Sequence, residues 1–269
     1  MYVDPYDTRV KTIQYGSDKA RMSARDLLIR STLAGAFLAI ATAVAYWATV
    51  QTKLPIAGAI LFPAGFVLYV LIGLELVTGN FALLPVAGMS GLATMQQILR
   101  NFALVFLGNL IGSVIFAVLF WCSLTVMGTT SGGALSTFIV SIAEHKTIAY
   151  QALGGAGMVT VFVRAILCNW MVALGVYASL SAKSTTGKIL ATWLPIFLFF
   201  ALGFEHTVVN MFVIPLGMML GAKVSISTWW LWNQIPVTLG NFVGGFGATG
   251  LLLYITFQKK SAQLEEVAA

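Results

Sequence analysis

The sequence predicts an all-α integral membrane protein, with six transmembrane helices in two inverted three-helix repeats and the second and fifth spans broken. Three observations predict it. The 269-residue chain is 59% hydrophobic and only 9% charged, against about 25% charged in soluble domains. Residues 31–50, 54–74 and 101–127 contain no Asp, Glu, Lys or Arg, and each reaches the ~20 residues a helix needs to span hydrocarbon. A GNxxG motif stands in each half, Gly108-Asn109-Leu110-Ile111-Gly112 and Gly240-Asn241-Phe242-Val243-Gly244. Such small residues one turn apart allow close helix approach. A soluble fold of this size could not cover its surface with so few charges.

The N-terminal segment 1–28 is polar and mixed in charge and lacks the apolar stretch of a signal peptide. Within it and beyond, 18–30 (DKARMSARDLLIR) mixes basic with apolar residues. This predicts an amphipathic helix along the membrane surface. The division expected is therefore an N-terminal segment at 1–28, a six-span domain at 29–258 and a tail at 259–269.

After the three charge-free stretches, an apolar segment covers 150–182, interrupted only by Arg164. Stretches 189–204 and 207–222 follow, separated by Glu205-His206. Each is short for a separate span, so together they form one broken span; the last covers about 233–258. The stretch TGNFALLPVAGMSG at 78–91 carries Gly79, Asn80, Pro85, Gly88 and Gly91. That composition argues against one continuous helix through it.

Positive charge tests the count. With both termini inside, eleven basic residues fall on the cytoplasmic side (Arg9, Lys11, Lys19, Arg21, Arg25, Arg30, Arg100, Lys183, Lys188, Lys259, Lys260). Three fall outside: Lys53, Lys146 and Lys223. This is the asymmetry of the positive-inside rule for a multi-pass protein of the cytoplasmic membrane. The net charge of +6 is thereby accounted for without a nucleic-acid partner. Trp229, Trp230 and Trp232 then sit at the outer interface, where indoles are favoured.

An odd number of spans per half makes the halves oppositely oriented, as in inverted-repeat transporters. Glu75 through Asn80 precede the first GNxxG, and Glu205-His206 precede the second. A helix broken at mid-depth leaves backbone N–H groups that are tolerated only facing a cavity or buried in protein. Its N-terminus carries partial positive charge, so two converging breaks favour an anion without a buried Lys.

Polar residues at membrane depth are few: Glu75, Arg164, Asn169, Glu205, His206 and Asn210. Ionisable groups at the bilayer centre cost about 2.5–3.5 kcal/mol each on insertion scales, so they face a pathway or one another. His206, beside a break, is the candidate functional group, because a histidine can gain or lose a proton near neutral pH. Glu75 and Glu205 suit loop orientation, since a carboxylate would repel an anion. Arg164 is compatible with an ion pair or with reaching an interface, and no substrate role follows for it. Cys122 and Cys168 lie in apolar segments and read as small hydrophobes rather than a disulfide or a metal pair. With one histidine in the spans, no nucleophile–base pair or metal cluster is expected, hence neither an enzyme nor a cofactor.

At these residues the chain resembles the formate/nitrite transporter family. The matching stretches are DLLIRSTLAGAF (26–37), ELVTGN (75–80), LCNWMV (167–172), GFEHTVVNMFVIP (203–215) and IPVTLGNFVGG (235–245). They fall in the family's order, and the resemblance runs from residue 20 to 258. GLELVTGNFALLP and WWLWNQIPVTLGN are most like its nitrite branch. The resemblance implies an aquaporin-like helical fold assembled as a pentamer with one pore per protomer. It also implies transport of a small monovalent weak-acid anion such as nitrite or formate. A proton lent by His206 would make that movement proton-coupled and an uncharged His206 would leave channel-like anion flux; the residues allow either. In that pattern His206 is the central histidine, with Thr78 and Asn169 as polar neighbours. Phe62 and Leu76 match the apolar constriction on one side, and Phe199 the one opposite. Asn210 follows the histidine, Glu205 orients its loop, and Lys146 resembles the family's vestibule lysine. Hydrosulfide, lactate and acetate are alternative cargoes. A neutral-solute channel is the alternative class, although Asn80-Phe81 and Asn210-Met211 are not Asn-Pro-Ala loops.

Overall fold

The computed structural model describes residues 2–257; the expected tail at 259–269, with Lys259 and Lys260, lies outside the described residues. Helix α1 (Pro5–Arg21) precedes α2 (Ala24–Thr52), the first long apolar helix. The second span is α3 (Pro55–Leu61) and α4 (Pro63–Ile72), then a break, then α5 (Val77–Met89). Helix α6 (Met95–Leu124) completes the first repeat. The second repeat opens with α7 (Gly133–His145) and α8 (Ile148–Ala152), and α9 (Gly154–Ser181) is its first full span. Helices α10 (Thr185–Ala201) and α11 (Thr207–Met219) flank the second break. The last span, α12 (Ile226–Thr256), contains π-helical turns over Trp230–Gln234 and Val243–Leu251.

The two breaks use the same local chemistry. Gly73 closes α4 at φ 72°, and Gly203 stands after α10 at φ 65°. Both are left-handed, where a Cβ is disfavoured and glycine is not. The chain then runs extended through Leu76 and through His206 before each half-helix begins.

Two sequence expectations are corrected. The turn-rich stretch at 78–91 is helical over most of its length: α5 continues to Met89 with Pro85 inside it, as α11 contains Pro215. Proline removes one backbone donor, but burial on all sides holds the helix, since most of α5 and α11 is buried. The interruption lies at Gly73–Leu76, just before that stretch. The segment 18–30 is not one surface helix either. Helix α1 ends at Arg21, and Ser23 caps α2 by accepting from the Asp26 amide. Helix α1 also buries one face (Thr8, Thr12, Gly16, Ser17, Lys19, Ala20) against α5.

Helix α2 packs on α6, and α9 on α12, through the two GNxxG motifs. A methyl at Gly112 would fall on the Thr32 carbonyl, and one at Gly244 on the Ile166 carbonyl. Glycine is therefore what lets these backbones touch.

Candidate functional site

Each break is pinned from the long helix behind it by one asparagine. Asn109 of α6 accepts from the Val77 amide at 3.0 Å and donates to the carbonyls of Glu75 and Ser31, both at 2.9 Å. Asn241 of α12 accepts from the Thr207 amide at 2.9 Å and donates to the carbonyls of Glu205 (2.9 Å) and Ala165 (2.8 Å). A break inside hydrocarbon strands backbone groups that each cost free energy if unpaired. A primary amide supplies one acceptor and two donors, which suits it to this position.

The carboxylates are held by a second matched set. Lys19 of α1 donates to Glu75 Oε1 at 2.5 Å, and Asn80 to Glu75 Oε2 at 2.8 Å. Asn80 also donates to Asn101, which donates to the Lys19 carbonyl at 3.0 Å. In the other repeat, Lys146 and Asn210 both donate to Glu205 Oε2 at 2.8 Å. Asn210 donates to Asn233, which donates to the Lys146 carbonyl at 2.8 Å. Glu205 Oε1 accepts in addition from Tyr150 at 3.0 Å. Both carboxylates are almost wholly buried, at 1% exposure, and such charges persist only when paired and hydrogen-bonded.

The two half-helices meet at His206 and Thr78. His206 is the N-cap of α11, and its Nδ1 accepts from the amides of Val208 (3.2 Å) and Val209 (3.3 Å). An Nδ1 that accepts carries no proton, so the ring proton of the neutral imidazole sits on Nε2. Nε2 lies 3.2 Å from Thr78 Oγ1, at the start of α5. The counterpart N-cap of α5 is Leu76, which has no acceptor. The amides of Thr78 and Gly79 thus lack the cap that Val208 and Val209 receive. Asn169 of α9 donates to the Thr78 carbonyl at 3.0 Å and the Asn241 carbonyl at 2.6 Å, tying the halves together.

Apolar side chains close around this pair. Phe199 stacks on the His206 ring at 5.6 Å between centroids, and Phe62 meets Phe199 edge to face at 5.5 Å. Phe200 stacks on Phe62 at 4.0 Å. Phe62, Leu76 and Phe199 are fully or almost fully buried. Phe62 and Phe199 therefore belong to one aromatic cluster, whereas the resemblance places them in constrictions on opposite sides. The physical reason is that α4 and α10 pack directly on each other.

Cavities reach toward this centre from two sides. A vestibule of about 420 Å³ is lined by His145, Lys146, Arg164, Phe199, Glu205 and His206, among others. A smaller cavity of about 130 Å³ is lined by Tyr15, Tyr69, Val176, Ser179 and Lys188. Tyr69 borders the amide-rich start of α5, its hydroxyl crowding the Gly79 backbone. A larger hollow of about 800 Å³ between α5, α6 and α12 is lined by apolar residues and Thr238. With no ionisable lining it has nothing to hold an ion.

Six spans in inverted repeats, two facing half-helices, and a histidine between them at the floor of a vestibule define an inverted-repeat membrane channel. The comparisons narrow the class. Residues 7–255 match the profile described as Formate/nitrite transporter. A probable formate transporter of Methanothermobacter thermautotrophicus is 34% identical over 96% of this chain and 98% of that protein. The formate channel FocA of Haemophilus influenzae is 33% identical over 88% and 90%. Among solved structures, an FNT family ion channel superposes with a TM-score of 0.80 at 27% identity, covering 93% of this chain and 98% of that one. A pentameric formate channel with formate bound gives 0.72 at 27%, covering 88% and 98%. The chain belongs to the formate/nitrite transporter family.

The structure brings His206, Thr78, Asn169, Leu76, Phe62 and Phe199 together at the centre. It places Glu205, Glu75, Asn210 and Lys146 in the supporting networks. Sequence reasoning misses Lys19, Asn101, Asn109, Asn233, Asn241 and Tyr150 as parts of those networks. A readable signal exists: Gly73, Glu75, Asn80, Pro85 and Met89 recur in the second half, at one constant spacing, as Gly203, Glu205, Asn210, Pro215 and Met219. Asn101, Gly108, Asn109 and Gly112 likewise recur in register as Asn233, Gly240, Asn241 and Gly244. An asparagine that keeps its register against a break is a candidate pin.

Proposed function

We propose that this chain conducts small monovalent weak-acid anions, formate or nitrite, together with a proton, across the cell membrane. The observation that supports this best is the meeting of two half-helix N-termini at His206 and Thr78, on the floor of the vestibule. Helix N-termini attract negative charge. The uncapped amides at the start of α5 are donors an anion can use.

The cluster of Phe62, Leu76 and Phe199 makes a bare anion lose its hydration shell at high cost. The weak acid is neutral and crosses such a ring more easily. His206 presents Nε2–H to the passing solute, while its Nδ1 lone pair is taken up in capping α11. The histidine therefore donates a hydrogen bond from Nε2 to the solute, and it passes that proton on only as Nδ1 leaves its cap and takes up a proton from the vestibule, so the ring is never left without one. The relatives named for formate support the cargo class, and the pentameric neighbour supports a homopentamer. The excess of Lys and Arg in one set of loops supports cytoplasmic termini, with residues 29–258 as the channel domain.

Uptake of labelled formate and nitrite into proteoliposomes, by wild type and His206→Phe at two pH values, tests the reading. The expected result is uptake that rises as pH falls and that loses this dependence in the variant. Unchanged flux and pH dependence in His206→Phe would defeat the histidine's role. Glycerol swelling without formate uptake would defeat anion transport altogether.

A further inference from the structure

We propose that Arg164, not Lys146, is the residue that captures the anion in the vestibule, through guanidinium N–H groups that no carboxylate among the described residues occupies. The inference deepens the anion-conduction reading by assigning its entry site. Besides His206, three basic side chains line the vestibule: His145, Lys146 and Arg164. Lys146 is neutralised, since it lies 2.8 Å from Glu205 with its side chain only 12% exposed. Its partner is held in place by Tyr150 and Asn210 as well. The Lys146–Glu205 pair as a whole therefore offers an anion no net charge.

Arg164 differs. Among the described residues the carboxylate–cation pairs are Lys19–Glu75 and Lys146–Glu205, and Arg164 belongs to neither. Its side chain makes one hydrogen bond, from Nη1 to the Tyr150 hydroxyl at 3.1 Å. That hydroxyl in turn donates to Glu205 Oε1 at 3.0 Å. A neutral tyrosine is thus interposed, and it keeps the guanidinium from closing an ion pair with Glu205. A guanidinium has five N–H donors in a planar fork, so most remain free. Arg164 is half-buried, and it lines the same cavity as His206.

Formate and nitrite are planar and present two oxygens on one side, the shape that a guanidinium fork grips with two parallel hydrogen bonds. Depth fits as well. Arg164 stands before Asn169 on α9, at a separation of about 7.5 Å along the helix axis. An anion held there waits just short of the Phe199 ring. A cation at part-buried depth is screened less than one in open water, so its attraction raises the local anion concentration.

Two measurements test this in the full-length protein. In proteoliposomes, Arg164→Gln is expected to raise the apparent KM for formate about tenfold and to flatten its dependence on ionic strength. Arg164→Lys, which keeps the charge but loses the fork, should retain the ionic-strength dependence while its KM is raised to an intermediate value. Wild-type KM and salt dependence in Arg164→Gln would overturn the proposal, as would a flattened salt dependence in Arg164→Lys. The second measurement needs neither the glutamine variant nor transport. Phenylglyoxal, which modifies guanidinium groups, is applied to the purified wild type, and modification of Arg164 is followed by peptide mapping. Formate and nitrite should slow it in proportion to their concentration. Modification unaffected by either anion overturns capture by Arg164 even where flux is normal. Protection without any flux instead sinks the conduction reading and leaves the binding site standing.

Discussion

Lys19 provides the sharpest test of how the two repeats are built. Its ammonium and the Glu75 carboxylate are each 1% exposed and lie 2.5 Å apart. In Lys19→Met, Glu75 Oε1 loses its donor, and only Asn80 remains on Oε2. Removing one partner of a buried pair leaves an uncompensated charge and costs about 3–5 kcal/mol. Loss of the ammonium that sits 4.7 Å from the Tyr15 ring centroid adds about 0.5–2 kcal/mol. At roughly 2–4 °C per kcal/mol for a chain of this size, melting should fall by about 10 °C or more. The double variant Lys19→Met/Glu75→Gln removes both charges, so it should melt well above either single variant, because neutralising a pair is often nearly neutral. The assay is thermal unfolding in detergent, followed by tryptophan fluorescence, on all four proteins of the cycle. A Lys19→Met cost below about 1 kcal/mol, or strictly additive singles, would refute a buried charged pair and with it the matched roles of Lys19 and Lys146.

Three further outcomes follow from the geometry. Asn241→Leu unpairs the Thr207 amide and the Glu205 carbonyl; at about 1–3 kcal/mol per buried unpaired group, it should abolish formate uptake while Asn109→Leu does the same from the other repeat. Gly244→Ala drives a methyl onto the Ile166 carbonyl and should cost about 1–3 kcal/mol in thermal unfolding, whereas Gly247→Ala, which meets nothing within 4 Å, should stabilise by up to about 1 kcal/mol. Phe62→Ala removes the ring that bridges Phe199 and Phe200 and should raise uptake of lactate relative to formate in a competition assay; an unchanged ratio would remove Phe62 from the size barrier.

How much is legible in the sequence varies with the range of the interaction. His206 can be picked out because ionisable groups are rare in apolar spans and it flanks a break, whereas Thr78 gains its role only through the family resemblance. Composition puts the break near Thr78 a few residues late, since the glycines and proline of 78–91 carry strong turn signals that burial overrides in α5. Lys19 reads as one more surface charge. Its neighbours in sequence are polar, and nothing local reveals that α1 folds back onto α5. Arg164 acquires no role from the sequence for a related reason. Whether that arginine is paired depends on Tyr150, from the preceding helix, and on Glu205, from the far side of α10.

The sequence by itself determined the membrane class, the number of spans, the two interruptions and the close glycine contacts. Hydropathy, helix-breaking and side-chain size act along the chain or over one turn, so they can be read locally. Only the tertiary structure decided which charges cancel, which amides pin the breaks, and that Phe62 and Phe199 share one cluster. Those outcomes depend on distances between segments brought together from both halves of the chain. In a low-dielectric interior, a few ångströms separate a neutralised lysine from an arginine still able to bind.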